Sequence, residues 1–268
     1  MSWLLVVSLS IIAVIWIIPM VWMLITSLKF EGRTITFPIQ WIPRPFTLQS
    51  YRDLFERAPI IRWLFNSLIT ASLTTLGVLI IDSLAAYALS RLRFAGRRFL
   101  FIFTLVGFMV PFQVIMIPLY LMFNELGLVN TYLGLILPRL AIPLGVFILR
   151  QFFMGIPTEL EEAAVLDGCS RFRVFYNIIL PLSKPALATV AIFTFIGSWN
   201  EFLWPLVIVS QSQMFTLPVG LAAFQGSYQM KYAMTMAASV MASIPILIAF
   251  IIFQKSIIKG VTTTGLKG

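Results

Sequence analysis

The sequence predicts an all-α integral membrane protein: six transmembrane helices, with a cytoplasmic helix–turn–helix between helices 4 and 5. Three observations carry this reading. Of 268 residues, 60% are hydrophobic and only 11% charged, against about 25% charged in an ordinary soluble domain. Leu4 to Leu28 holds no charge, a run longer than the roughly 20 residues that cross a bilayer. A soluble helical core would interrupt such runs with polar residues every turn or two. The third observation is the stretch from Ile156 to Pro181, the one helical pattern whose charges do not fit a membrane interior.

The spans follow in order. The first covers about residues 3–28, ends at Lys29, and is too long and too lacking in a basic leader to be a cleaved signal peptide. Residues 29–62 form the longest polar segment, where Pro38, Pro43 and Pro45 break any helix and Tyr51 to Phe55 reads as a short interfacial one. The second and third spans, about 63–89 and 99–123, flank Arg91, Arg93, Arg97 and Arg98. The fourth, about 133–152, is the least regular, with Pro138, Pro143, Arg139 and Arg150. The fifth, about 183–209, contains Trp199-Asn200-Glu201-Phe202, and the sixth, about 232–253, precedes a tail at 254–268. The whole reads as one membrane domain, 1–268, without internal repeats.

Between spans four and five, Thr158 and Glu161 have the Ser/Thr-x-x-Glu spacing of a capping box, so a helix is expected to start there. Glu159, Glu161 and Glu162 favour the positive end of its dipole. Gly168 supplies the permissive backbone that ends it. Ser170 is placed to cap a second short helix, and Pro181 to close it.

The side follows from the cations. Eleven of the 19 Lys and Arg residues fall in the connections after spans two and four and in the tail. This bias puts both termini and the helix–turn–helix in the cytoplasm. The formal charge of +9 therefore reads as topology signal and contact with anionic lipid rather than nucleic-acid binding. With no His and a single Cys169, a His-containing or multi-cysteine metal site and an internal disulfide are excluded.

Glu162-Ala163-Ala164, three residues, Gly168, nine residues and Ile178-x-Leu180-Pro181 resemble the E-A-A loop of the membrane subunits of binding-protein-dependent ABC importers. Ala85 to Phe94, Pro111-Phe112-Gln113, Asn130 to Gly134, Arg150 to Phe153, Trp199 to Pro205 and Thr216 to Leu221 are similar to the carbohydrate-uptake branch, specifically its maltose-permease G-type subunit. The resemblance covers essentially the whole chain. It departs at the N-terminus and in the tail, Gly260 to Gly268, where the family has a Thr-Ala-Gly-Ala run.

That resemblance implies a permease of the bacterial or archaeal cytoplasmic (inner) membrane. It forms a heterodimer with a second permease subunit, above an ATPase subunit dimer and below an extracytoplasmic sugar-binding protein. Glu162, Ala163, Ala164, Asp167, Gly168, Ile178, Leu180 and Pro181 would be the ATPase-coupling residues. No catalytic residue, metal or cofactor is expected on this chain, with ATP and Mg on the partner ATPase. The sequence has no phosphate loop: Leu266 stands where Lys would be after Gly265.

Inside the spans, Trp199, Asn200 and Glu201, with Pro111 and Gln113, are candidates for the substrate pathway, since aromatic faces stack on sugars and amide or carboxylate groups bond hydroxyls. A carboxylate at a span centre costs about 2.5–3.5 kcal/mol on insertion scales. The alternatives for Glu201 are an interhelical hydrogen bond that holds the two permeases together, or a position near the outer interface where the charge is wet. Asp82 invites either a proton relay or pairing with a nearby cation or interfacial water. Asp82 and Glu201 together would serve an ion-coupled secondary transporter, the competing functional class, and a membrane scaffold is a third. Pro111 and Pro118 either line a cavity or kink their helix. Trp41, Pro43 and Arg44 form either a binding-protein contact or a loop resting on lipid.

Overall fold

A computed structural model of the chain describes the backbone of residues 3–227 and 231–264. The helices are α1 (Trp3–Ser27), α2 (Gln49–Arg57), α3 (Ile60–Arg91), α4 (Arg97–Met109), α5 (Phe112–Glu125), α6 (Tyr132–Ile136) and α7 (Pro143–Met154). After them come α8 (Glu159–Leu166), α9 (Arg171–Val174), α10 (Leu180–Leu182), α11 (Lys184–Trp199), α12 (Leu203–Ile208), α13 (Leu217–Ser227) and α14 (Tyr232–Thr264). Among the described residues, three stretches, Trp3–Ser27, Ile60–Arg91 and Tyr232–Ile251, are long and apolar enough to cross a membrane unaided, and the number reaches up to six if each of three bent pairs is one span.

The pairs are where the expected spans depart from the structure. Span three bends by 95° between α4 and α5, because Pro111 takes an extended backbone at φ −61, ψ 130 and starts a new helix. Span four bends by 48° between the α6 segment and α7, where Ile142 is extended and Pro143 opens α7. Span five runs from α11 only to Trp199, and Asn200 to Phe202 separate it from α12. The last helix continues past residue 253 to Thr264. Lys267 and the tail from Gly265 lie outside the described residues, as do the side chains of Lys255 and Lys259.

The chain divides into two compact units. In the first, residues 1–66 and 212–247, the start of α3 is fastened to the turn before α13. Trp63 Nε1 donates to the Ser212 carbonyl at 2.8 Å, and Asn66 Nδ2 donates to those of Gln213 and Phe215 at 2.8 and 2.9 Å. Gly220 admits the Trp63 ring, which a Cβ there would meet at 2.2 Å. Glu31 Oε2 accepts the Ala233 N–H at 3.1 Å, satisfying a free donor at the start of α14.

The second unit, residues 67–211 and 248–268, has its core around α3. Val78 and Ala86 of α3, Leu149 and Phe153 of α7, Val174, Ile179, and Val190 of α11 are buried together. Gly77 lets Leu140 approach so closely that a Cβ would stand 2.4 Å from it. At a rise of ~1.5 Å per residue, this puts the break in span four about 20 Å along α3 from Arg91.

Candidate functional site

The helix–turn–helix forms, by a different local chemistry than its sequence indicates. Thr158 precedes α8 with helical φ and ψ and makes no side-chain cap. Glu161 does not turn back to close a capping box. It is only 4% exposed and faces inward, with Oε1 3.0 Å from Arg91 Nε of α3. This contact is off the hydrogen-bonding direction and acts by charge. Tyr87 Oη stands 3.5 Å from the other carboxylate oxygen and 3.3 Å from the Arg171 carbonyl. Arg91 Nη2 donates to the carbonyls of Phe153 and Ile156. One arginine thus satisfies the end of α7 and holds the start of α8.

The turn itself is as its residues dictate. Gly168 has φ +82, a conformation that other L residues avoid. Ser170 accepts the Arg173 N–H at 3.3 Å. Pro181 lies one residue before the end of the second helix. Arg171 to Leu182 is one helical path with a π turn at Phe175–Ile179. That wide turn ends directly before Leu180-Pro181, where the proline has no N–H to give and its ring crowds the preceding turn. The chain then bends by 78° into α11. Ala164 and Ile179 face the core, while Glu162, Ala163, Asp167, Gly168 and Pro181 are exposed and Ile178 and Leu180 half-buried. Leu166, Phe172 and Tyr176 leave 87%, 68% and 65% of their surfaces uncovered, so the hairpin presents an apolar face beside the Glu162 carboxylate.

A second cluster lies where the breaks in spans three and four meet the end of α11. Glu201, in the junction between α11 and α12 rather than inside a helix, pairs with Arg139 at the break in span four. Its Oε1 also accepts the Trp204 N–H at 3.2 Å, capping α12. Arg139 Cζ stands 5.3 Å from the Phe112 ring, beside the break in span three. Phe112 and Phe123 meet Trp204 edge-on at 5.7 Å, and Trp204 Nε1 donates to the Gly134 carbonyl at 2.9 Å. Irregular backbone is thereby gathered around one ion pair.

Of the pathway candidates, Trp199 is 2% exposed and stacks on Phe195 at 6.0 Å. Asn200, Pro111 and Gln113 are exposed and Glu201 half-buried. Asp82 pairs with no cation among the described residues. It is fully buried with its carboxylate beside the Ile142 backbone N–H, and Oδ2 lies 2.1 Å from where a Gly145 Cβ would stand. In the first unit, Trp41 packs edge-on against Trp22 at 5.3 Å, Pro43 is half-buried and Arg44 exposed. The Arg44 carbonyl accepts from Arg33 at 3.1 Å. Burial lowers the pKa of Lys29, whose Nζ lies 4.3 Å over Trp22.

Sequence reasoning treated Arg91 and Arg139 as topology signal and irregularity, and missed both ion pairs. The signal present was an excess: Arg91 is the first of four arginines where fewer suffice to orient a span, and Arg139 sits amid apolar residues.

Residues 83–263 match the family described as binding-protein-dependent transport system inner membrane component. The chain is 39% identical over 275 residues to the arabinooligosaccharides transport system permease protein AraQ of Halalkalibacterium halodurans, covering 100% of this chain and 97% of that one. It is 38% identical over 270 residues to the trehalose/maltose transport system permease protein MalG of Thermococcus litoralis, with 99% and 96% covered. Among solved structures, it is similar in fold to a chain of a bacterial ABC transporter involved in the import of the acidic polysaccharide alginate, with a TM-score of 0.81, 24% identity and 94% of each chain covered. The matched residues include the helix–turn–helix and both ion pairs, and the chain belongs to the family of binding-protein-dependent transport system inner membrane components.

Proposed function

We propose that this chain is the translocation subunit of an ATP-driven importer of carbohydrates, forming its path with a second permease and taking its energy from a cytoplasmic ATPase dimer. The observation that carries this reading is the helix–turn–helix. Its inner side is fixed to α3 by Arg91 and Glu161, and its outer side offers Glu162, Ala163 and an apolar face at Leu166, Phe172 and Tyr176. A rigidly held, partly apolar projection suits a partner that pushes on it. ATP and Mg belong to that partner.

Family membership and the sugar-transport relatives favour this reading over an ion-coupled carrier built on Asp82 and Glu201. Glu201 is engaged by Arg139 and Trp204, and Asp82 is sealed against Gly145. Carbohydrate as substrate class rests on relatives named for arabinooligosaccharides and for trehalose and maltose. Asn200, Glu201 and Gln113 near the helix breaks are the polar groups for its hydroxyls, with Pro111 shaping the backbone. An extracytoplasmic sugar-binding protein delivers it, and Trp41, Pro43 and Arg44 are its contact. Both termini then face the cytoplasm with the helix–turn–helix.

Cys169 is the sole thiol, half-buried beside Gly168. The test is to co-express the chain with its transporter partners, place single cysteines around the ATPase cleft, and seek crosslinks to Cys169 with and without ATP. A crosslink that changes with nucleotide is expected. Cys169 reacting with small cytoplasmic reagents while never capturing an ATPase would overturn the proposal.

A further inference from the structure

At the end of α3 that holds the helix–turn–helix, the chain returns into α4 through a turn at Leu92–Gly96, and an open cavity of 850 Å³ lies there. Arg93, Arg97 and Arg98 form its rim, Phe99 and Ile102 its wall, and no carboxylate lines it among the described residues. The three arginines are not equivalent. Arg97 Nη1 donates to the carbonyls of Ser90 at 3.4 Å and Leu92 at 3.1 Å, which holds the turn. Arg93 and Arg98 are exposed and make no ion pair among the described residues.

Among the described residues no carboxylate pairs with the rim arginines. Glu161, which meets the end of α3, is committed to Arg91. Arg150 donates Nε to the Leu89 carbonyl at 3.1 Å and lies 3.9 Å over Phe101, so its charge also belongs to this end. Beyond the rim the surface changes character. No residue of α4 is fully buried, and Phe99, Ile102, Phe103 and Val106 are 69%, 48%, 65% and 50% exposed. Phe99 and Phe103 stack at 6.2 Å, making a continuous apolar strip.

A soluble anion would neutralise the rim and leave the strip bare. A zwitterionic lipid would cover the strip and leave the rim charged. Only an amphiphile with a net negative head satisfies both. We infer that the α3–α4 turn binds one anionic phospholipid, its phosphate between Arg93 and Arg98 and an acyl chain along Phe99, Ile102 and Phe103.

The test is native mass spectrometry of the full chain, co-expressed with its transporter partners and released from nanodiscs of equal phosphatidylglycerol and phosphatidylcholine. The wild type is expected to retain one phosphatidylglycerol on this subunit with at least tenfold preference. Arg93→Gln with Arg98→Gln should abolish that preference while leaving phosphatidylcholine retention and assembly unchanged. Arg93→Lys with Arg98→Lys should keep it, which separates loss of charge from misfolding. Equal retention of the two lipids by the wild type, or undiminished preference in the double Gln variant, would overturn the inference. So would displacement of the bound lipid by millimolar inorganic phosphate alone, since that marks a free-anion site.

Discussion

Replacing Glu161 with Ala should release the helix–turn–helix without unfolding the rest of its unit. The Arg91 and Glu161 side chains are 7% and 5% exposed, and removing one partner of a buried pair costs about 3–5 kcal/mol because the other charge stays buried. Arg91 keeps the Phe153 and Ile156 carbonyls, which partly solvate it and place the cost at the lower end, about 3 kcal/mol. At tenfold per ~1.4 kcal/mol, local opening of α8 should rise on the order of 100-fold. Hydrogen exchange across residues 159–170 and the rate of Cys169 alkylation both read this opening. Glu162→Ala, on the exposed side, should leave both at wild-type values. A double change of Arg91 and Glu161 to Met should recover most of the protection, since paired apolar replacements are often neutral or stabilising. Wild-type exchange in Glu161→Ala would refute the claim that this pair holds the hairpin.

Other sites give sharper steric or hydrogen-bonding tests. Gly145→Ala would place a Cβ 2.1 Å from Asp82 Oδ2 and should lower stability by about 1–3 kcal/mol; adding Asp82→Ala should restore the folded yield measured by fluorescence-detected chromatography. Trp204→Phe removes the donor to the Gly134 carbonyl, and thermal unfolding in detergent should report a loss of about 1–3 kcal/mol for the unsatisfied carbonyl. Arg139→Gln and Glu201→Gln should each impair transport in vesicles, and the exchange of the two charges should restore part of it. Independent, additive losses would mean that the pair does not act as a unit.

The parts of the site that depend on neighbours in sequence were legible. Gly168 and Ser170 make their turn through local backbone chemistry, and both do so in the structure. Glu161 was misread because its local role, a capping box with Thr158, competes with an arginine 70 positions away, and the buried charge wins over the exposed cap. Pro111 and Pro143 marked where spans three and four break, since proline removes a donor wherever it stands. They carry no information about angle, so the 95° and 48° bends were invisible. The junction at Asn200 to Phe202 has no proline of its own. What keeps it open is Glu201, drawn to Arg139 and to the Trp204 N–H, a tertiary preference that no local pattern records.

The 78° bend at Ser183 joins two arms of different length. Arg171 to Leu182 is 12 positions along the chain, about 18 Å of helix, and α11, with 16 residues, is about 24 Å. Turned as one body about Ser183, the pair is a bell crank. A displacement of about 1 Å at the Arg171 end rotates it by about 3°, and the Trp199 end then travels about 1.3 Å in a direction nearly at right angles. Motion applied at the hairpin is thus redirected and slightly enlarged before it reaches the Asn200 junction, where the ion pair with Arg139 stands.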